Sequence, residues 1–357
     1  MKFISEIEKT DKDQKKKTKV YLDSLVKPIG SLGRLEEYAV KLSGITGKLV
    51  NELGKKAIVV FGADNGVWDE GITPVPQSVT ATQMINMVKG VAGVSVLAKQ
   101  ADVDTIVINI GVKNELQFDG IINAVLMNGT DNMALGPAMS KETAEKAISY
   151  GFDMAGKLKA EGYKLLGAGE MGICNTATSS AMLCAFSGKS PEEIAGMGAG
   201  IDQEHYEKKV STIEKALKIN NPNPDDAIDV LSKVGGLDIA GMAGLFLGGA
   251  YHKIPVVIDG YISMVAALTA YKLNPLVKEY IFASHKSTER GYMSVCEEIG
   301  LIPAFELEMR LGEGSGCPFM FYALEASQRI VRGMVTFEQG NVDDSDYIDI
   351  RDLKEEG

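Results

Sequence analysis

The chain has 357 residues, 45% of them hydrophobic and 24% charged, with a formal net charge of −11. That length suits one large α/β domain, alone or with a small accessory one. The acidic balance repels phosphate backbones and argues against nucleic acid as a partner. No apolar run is long enough to span a bilayer, and Met1-Lys2-Phe3-Ile4-Ser5-Glu6 lacks the apolar stretch of a signal peptide. The four cysteines (Cys174, Cys184, Cys296 and Cys317) form no CxxC pair. With three histidines, no metal site is expected, and the chain reads as cytoplasmic with reduced thiols.

The first fifty residues read as helical and polar, with Asp11 to Lys17 as a solvated face. Pro28, Gly30 and Gly33 break the chain before Leu32, Leu35, Tyr38, Ala39 and Leu42 recur at helical spacing. From residue 57 the pattern changes. Ala57 to Phe61 is a continuous apolar run with a β-branched middle, and such runs belong to sheets buried on both faces. Further strands are expected at 105–111, 164–167, 255–260 and 280–283. Helical patterns fall at 80–99, 141–160, 202–217, 239–251 and 263–270. This alternation predicts an α/β fold with a doubly wound, mainly parallel sheet flanked by helices. The acidic tail after Gly340 is expected to be loose.

Glycines cluster just after the expected strands, where open parallel sheets bind ligands: Gly62, Gly66, Gly167, Gly169, Gly172 and Gly260. No GxGxxG of dinucleotide type with an acidic residue at the right distance is read, and no GxxxxGK[ST] occurs, so neither NAD nor ATP is implied. Leu311-Gly312-Glu313-Gly314-Ser315-Gly316 sets one carboxylate among glycines. Stripped of water, it would rise towards general-base range; as a structural feature, it would be a negative charge favoured by a helix start. Gly167 to Thr176 carries a second loop carboxylate, Glu170. Asn175, Thr176 or Thr178 could cap the helix that follows, and its free N–H groups suit a phosphate. Gly196 to Asp202 is another flexible loop, with Asp202 as a good N-cap and Lys208 or Lys209 in reach of an anion. Asp238 is an N-cap or a ligand contact, Asp259 could touch ligand hydroxyls, and Ser284 to Ser287 offers polar groups. Pro74 and Pro76 stiffen a loop near Trp68, Val75 and Met84, which are pocket lining or core. An anion site, an apolar slot and two carboxylates fit transfer chemistry on a phosphorylated small molecule.

The chain resembles the nicotinate-nucleotide–dimethylbenzimidazole phosphoribosyltransferase family over almost its whole length. The resemblance rests on KPIGSLGRLE at 27–36, FGADNGV at 61–67, PQSVT at 76–80, GAGEMGICNT at 167–176 and the glycine loop at 196–202. It continues through GGLDIAG at 235–241, DGYIS at 259–263, ASHKS at 283–287 and LGEGSG at 311–316. It implies transfer of the 5-phosphoribosyl group of nicotinate mononucleotide to an aromatic base, with inversion from β to α and no cofactor or metal. Glu313 matches the family's base, and Glu170 a second carboxylate that positions the acceptor or steadies charge on the ribose. The nucleotide is expected at Gly172, Asn175, Thr176, Gly198, Gly200, Lys209, Asp259 and Ser284, and the aromatic base at Thr73, Val75, Pro76, Gln83 and Leu311. The resemblance also implies a homodimer, or a pairing with a paralogue. It implies a large domain over residues 55–316 and a small helical one built from 1–54 with 317–357.

Four positions depart from the family: Asn65 stands for a common His, Ala199 for a common Thr and Tyr292 for a common His, and Cys317 occupies a place where small residues are frequent. The last is expected to reshape the acceptor slot. Rival readings are a phenol or purine acceptor, a non-catalytic subunit of a paired transferase, and a nucleoside hydrolase, whose Asp-rich calcium motif is absent.

Overall fold

A computed structural model describes the chain apart from residues 199, 344, 346 and 353–357. The departure at Ala199 therefore lies outside the described residues. Two helices, α1 (Lys12–Asp23) and α2 (Arg34–Thr46), precede the first strand, β1 (Lys56–Ala63). Then come α3 (Val79–Val88), α4 (Gly93–Gln100), β2 (Asp104–Gly111), β3 (Ile121–Asn123), α5 (Lys141–Ala160) and β4 (Leu165–Met171). After α6 (Asn175–Ser187), α7 (Pro191–Ile194), α8 (Gln203–Asn220), α9 (Ala227–Val234) and α10 (Leu237–Tyr251), the chain enters β5 (Val256–Ile258). Helix α11 (Tyr261–Leu273), β6 (Ile281–Ala283), α12 (Tyr292–Ile299), α13 (Cys317–Gly333) and α14 (Phe337–Gly340) complete the order.

The six strands form one sheet in the order β3-β2-β1-β4-β5-β6, and every neighbouring pair is parallel. All eight residues of β1 are buried, as a continuous apolar strand covered on both faces must be. The strand order reverses between β1 and β4, which is where doubly wound sheets open a crevice. Register places Phe61 beside Glu170 and Gly62 beside Met171, so the end of β4 stands against the end of β1.

Four sequence expectations change. The stretch 80–99 is two helices, broken after Val88 around Gly90 (φ 78°), and the break frees a second helix N-terminus. Strand β4 runs on through Gly167, Gly169 and Glu170 instead of ending before them. A Cβ on Gly167 would stand 2.8 Å from Cys317 Sγ, and one on Gly169 would strike the Glu313 carbonyl, so these glycines serve close packing on a strand. Edge strand β3 has only three residues, too short for a periodic signal. The tail is pinned at residues 350 and 351: Ile350 N–H donates to Ile29 O at 3.0 Å, and the Arg351 guanidinium pairs with Asp23 and Asp349.

Leu22, Leu25, Ala39 and Val331 form a small apolar cluster of their own, between α1, α2 and the end of α13. Tyr38, Leu42, Ile45, Met320, Phe321 and Leu324, from the same helices, pack into the main core. Among the described residues no helix is long and apolar enough to cross a membrane.

Candidate active site

A cavity of about 280 Å³ opens at the carboxyl ends of β4, β5 and β6. It continues into a recess of about 100 Å³, and the two share Val75, Gly172, Ile173, Asn175, Thr176 and Gly198. One end of this cleft is built around Glu313 and the other around Lys209.

Gly312, Glu313 and Gly314 are three successive left-handed residues, with φ of 82°, 66° and 94°. Glycine takes that conformation freely, whereas for glutamate it costs about 1 kcal/mol or more. Asp259, just beyond β5, holds the loop. Its Oδ2 accepts the Gly314 N–H at 2.9 Å and its Oδ1 the Gly316 N–H at 2.6 Å. The Glu313 carboxylate is thereby aimed at α4: it accepts from Val94 N–H at 3.0 Å and from Gln83 Nε2 at 2.7 Å. The helix start that favours its charge is thus that of α4, distant in sequence, and not that of α13 immediately after it.

Glu170 lies on the cavity wall at the end of β4. Burial, with Asp238 and Asp259 nearby, pushes its carboxyl up to about 8. Asn175 Nδ2 donates to Glu170 Oε2 and, at 2.9 Å, to Asp238 Oδ2. Asp238 sits in the first turn of α10, whose N-cap is Gly236, so it is neither the cap nor a lining residue. Burial raises it to about 6 and Asp259 to about 7, the latter despite backbone amides that favour its charged form. Asp259 reaches the cavity wall, but its oxygens are occupied by the Gly314 and Gly316 amides. Ser284 is fully buried and does not line the cavity; its hydroxyl donates to Asp259 O at 2.9 Å. His285 beside it is held neutral, burial pushing its imidazole down to about 4.

At the other end α6 begins without a side-chain cap. Cys174 takes the N-cap place at φ 73°, so the expectation of an Asn175, Thr176 or Thr178 cap fails; Thr178 instead donates back to Asn175 O. An uncapped helix start keeps its N–H groups available to an anion. Lys209, from α8, is almost fully buried and donates to Thr176 Oγ1 at 2.9 Å and to Gly196 O at 3.0 Å. An ammonium has three hydrogens, so one remains for the recess that Lys209 lines. Burial lowers its pKa. Gly198 (φ 58°) and Gly200 (φ 97°) complete the recess, and Asp202 caps α8 through His205 N–H as expected.

The remaining expected residues divide. Val75, Gln83 and Leu311 border the cavity that Glu313 lines; Thr73 borders the recess, and Pro76 borders neither. Met84 is core beneath Gly62, and Trp68 donates to Val75 O at 2.9 Å, pinning the proline loop. Cys317 is buried against Ala168 and Val257 and does not shape the acceptor slot. Asn65 and Tyr292 are buried and line neither cavity, Asn65 standing behind the wall with its Nδ2 donating to Ile173 O at 3.2 Å. Sequence reasoning missed Arg310 and Glu289 on the wall, while Ser287 belongs to the polar stretch noted above and Tyr261 lies within the DGYIS segment. Arg310 flanks the LGEGSG motif already noted; nothing in the local sequence marks Glu289.

Comparisons with known proteins identify the family. The model of the family described as phosphoribosyltransferase matches residues 7–342. The nicotinate-nucleotide–dimethylbenzimidazole phosphoribosyltransferase of Clostridium perfringens is 47% identical over 346 residues, covering 97% of this chain and 96% of its own. That of Clostridium tetani is 45% identical over 357 residues, covering 99% of each. A crystal structure of CobT from Thermus thermophilus superposes with a TM-score of 0.89 at 36% identity, covering 93% of this chain and 99% of that one. The chain belongs to the nicotinate-nucleotide–dimethylbenzimidazole phosphoribosyltransferase family.

Proposed function

We propose that this protein transfers the 5-phosphoribosyl group of nicotinate mononucleotide to 5,6-dimethylbenzimidazole, giving an α-ribazole 5′-phosphate and free nicotinate. The observation that carries the reading is the polarity of the cleft: a lone carboxylate, Glu313, is fixed at one end, and Lys209 with the open start of α6 lies at the other. The phosphate binds Lys209, Thr176 and the amides at the start of α6, with Gly198 and Gly200 allowing close approach. The acceptor base lies between Val75, Gln83 and Leu311. Glu313 takes the azole N–H proton while the other ring nitrogen attacks C1′ from the face opposite nicotinate, which inverts β to α. The pyridinium of the donor leaves as neutral pyridine nitrogen, so the step asks only for one general base and good orientation. Gln83 and Val94 hold the base still. The enzyme acts as a homodimer in this reading, which light scattering on the purified chain measures.

The test is a product assay: the purified chain with nicotinate mononucleotide and a panel of benzimidazoles, phenols and purines, read by mass spectrometry. Expected products are nicotinate and an α-ribotide of the benzimidazole. Glu313→Gln is expected to keep nucleotide affinity and lose turnover by about two to four powers of ten. Ribose 5-phosphate as the only new product, or near-normal kcat in Glu313→Gln, would overturn the reading.

A further inference from the structure

Glu170 and Asp238 are both buried, and one amide group joins them: the two hydrogens of Asn175 Nδ2 go one to each carboxylate. Only Glu170 reaches the cavity. Asp238 is wholly inaccessible, and its second oxygen, Oδ1, has no partner among the described residues. A Cβ on Gly236 would stand 2.5 Å from that oxygen and 2.8 Å from Asn65 Oδ1, itself buried and unpartnered, so a second acceptor oxygen lies on the same side of Gly236. No cation pairs with either carboxylate among the described residues. Two carboxylates joined through one amide, in a place with no positive charge, cannot both ionise cheaply.

We propose that Asp238 is a positioning residue of the transfer: it keeps a proton on Glu170, so that this wall of the cavity is a neutral acid and Glu313 is the one carboxylate free to take the acceptor's proton. The inference deepens the function proposed above and rests on it. Chemically it assigns Glu170 as a hydrogen-bond donor to substrate and not as an anion. The proton belongs on Oε1, because Oε2 already accepts from Asn175 and Oε1 has only the long 3.4 Å contact from the Glu313 N–H. A neutral Glu170 also lessens repulsion of a donor that carries a phosphate and a carboxylate. The other charged groups around the pair act the same way or stay silent. Asp259 beyond β5 and Asp64 beyond β1 are acidic and add to the repulsion, His285 is neutral, and Lys209 stands at the opposite end of the cleft.

The test is the pH dependence of kcat/KM for wild type, Asp238→Asn and Glu170→Gln, with nicotinate mononucleotide and dimethylbenzimidazole. Wild-type activity is expected to fall along an alkaline limb as Glu170 loses its proton. Asp238→Asn removes the like charge and is expected to move that limb down by about one pH unit. Glu170→Gln is expected to lack the limb, whatever its plateau. A limb unmoved in Asp238→Asn with a uniformly lower plateau would leave Asp238 a scaffold residue and overturn the proposal; so would a limb that survives in Glu170→Gln. A second measurement needs no turnover. The infrared C=O band of a protonated carboxylic acid, taken as wild type minus Glu170→Gln, should be present at pH 7 and vanish at lower pH in Asp238→Asn. Its absence at pH 7 overturns the proposal even if the transfer reaction proves to be another, while its presence without turnover faults only the assigned reaction.

Discussion

Asp259→Asn separates holding the Gly312–Gly316 loop from stabilising the fold. At pH 8 the Asp259 carboxylate, whose pKa burial raises to about 7, is mainly ionised and accepts from Gly314 and Gly316. Asparagine keeps one acceptor and turns an NH₂ towards the other N–H. Losing a charge-assisted hydrogen bond and stranding a buried N–H costs about 2–4 kcal/mol. The substitution also removes a buried charge, which returns part of that, so the net loss of stability should be about 1–2 kcal/mol. The loop cannot leave, because Glu313 remains tied to Gln83 and Val94. It shifts, and a displacement near 1 Å costs about 10²-fold in rate. The assay is nicotinate release at pH 8 alongside thermal unfolding. The expectation is kcat reduced about 100-fold with an unfolding midpoint lowered by only a few degrees. A kcat within threefold of wild type would refute the view that Asp259 sets the geometry of Glu313.

Gly169→Ala puts a Cβ 2.9 Å from the Glu313 carbonyl carbon and 3.1 Å from Gly314 Cα, neither of which is a flexible side chain. Circular dichroism should be unchanged while turnover falls about 10²-fold; normal turnover would mean the loop has slack. Lys209→Met should raise KM for the nucleotide about 10- to 100-fold, the worth of one charge-assisted hydrogen bond to phosphate, with a smaller change in kcat. An unchanged KM in steady-state kinetics would move the phosphate elsewhere. The Glu170 carboxyl is raised from 4.5 to about 8 in the fold, so the native state holds its proton over a range in which the unfolded chain has lost it. Its contribution to stability is therefore complete below about pH 4.5 and is lost as pH rises through about 8. The unfolding midpoint of Glu170→Gln relative to wild type should rise between pH 5 and pH 9, and a difference independent of pH would contradict the raised carboxyl.

Much of the fold is legible in the residues because local physics encodes it. Continuous β-branched runs such as Ala57 to Phe61 can only be strands covered on both faces, and Lys141 to Ala160 ends where its helical pattern ends. Glycine-rich motifs announce Glu313 and Glu170 because glycines beside a polar residue are costly unless the backbone needs them, whereas the residues alone left Lys208 and Lys209 as equal choices. What the sequence could not reveal depends on which distant segments meet. The glycines of β4 read as a loop, yet they are strand residues made small by Cys317 and the Glu313 backbone lying across them. Glu313 precedes α13 in the chain, but the amide that receives its charge belongs to α4, 219 residues away. Asp238 looks like a helix cap until α6 brings Asn175 between it and Glu170. Side-chain type and spacing determine the elements and nominate the carboxylates. Only the parallel sheet, by gathering its strand ends at the reversal between β1 and β4, decides which carboxylate is clamped at a helix start and which is buried among others of its own charge.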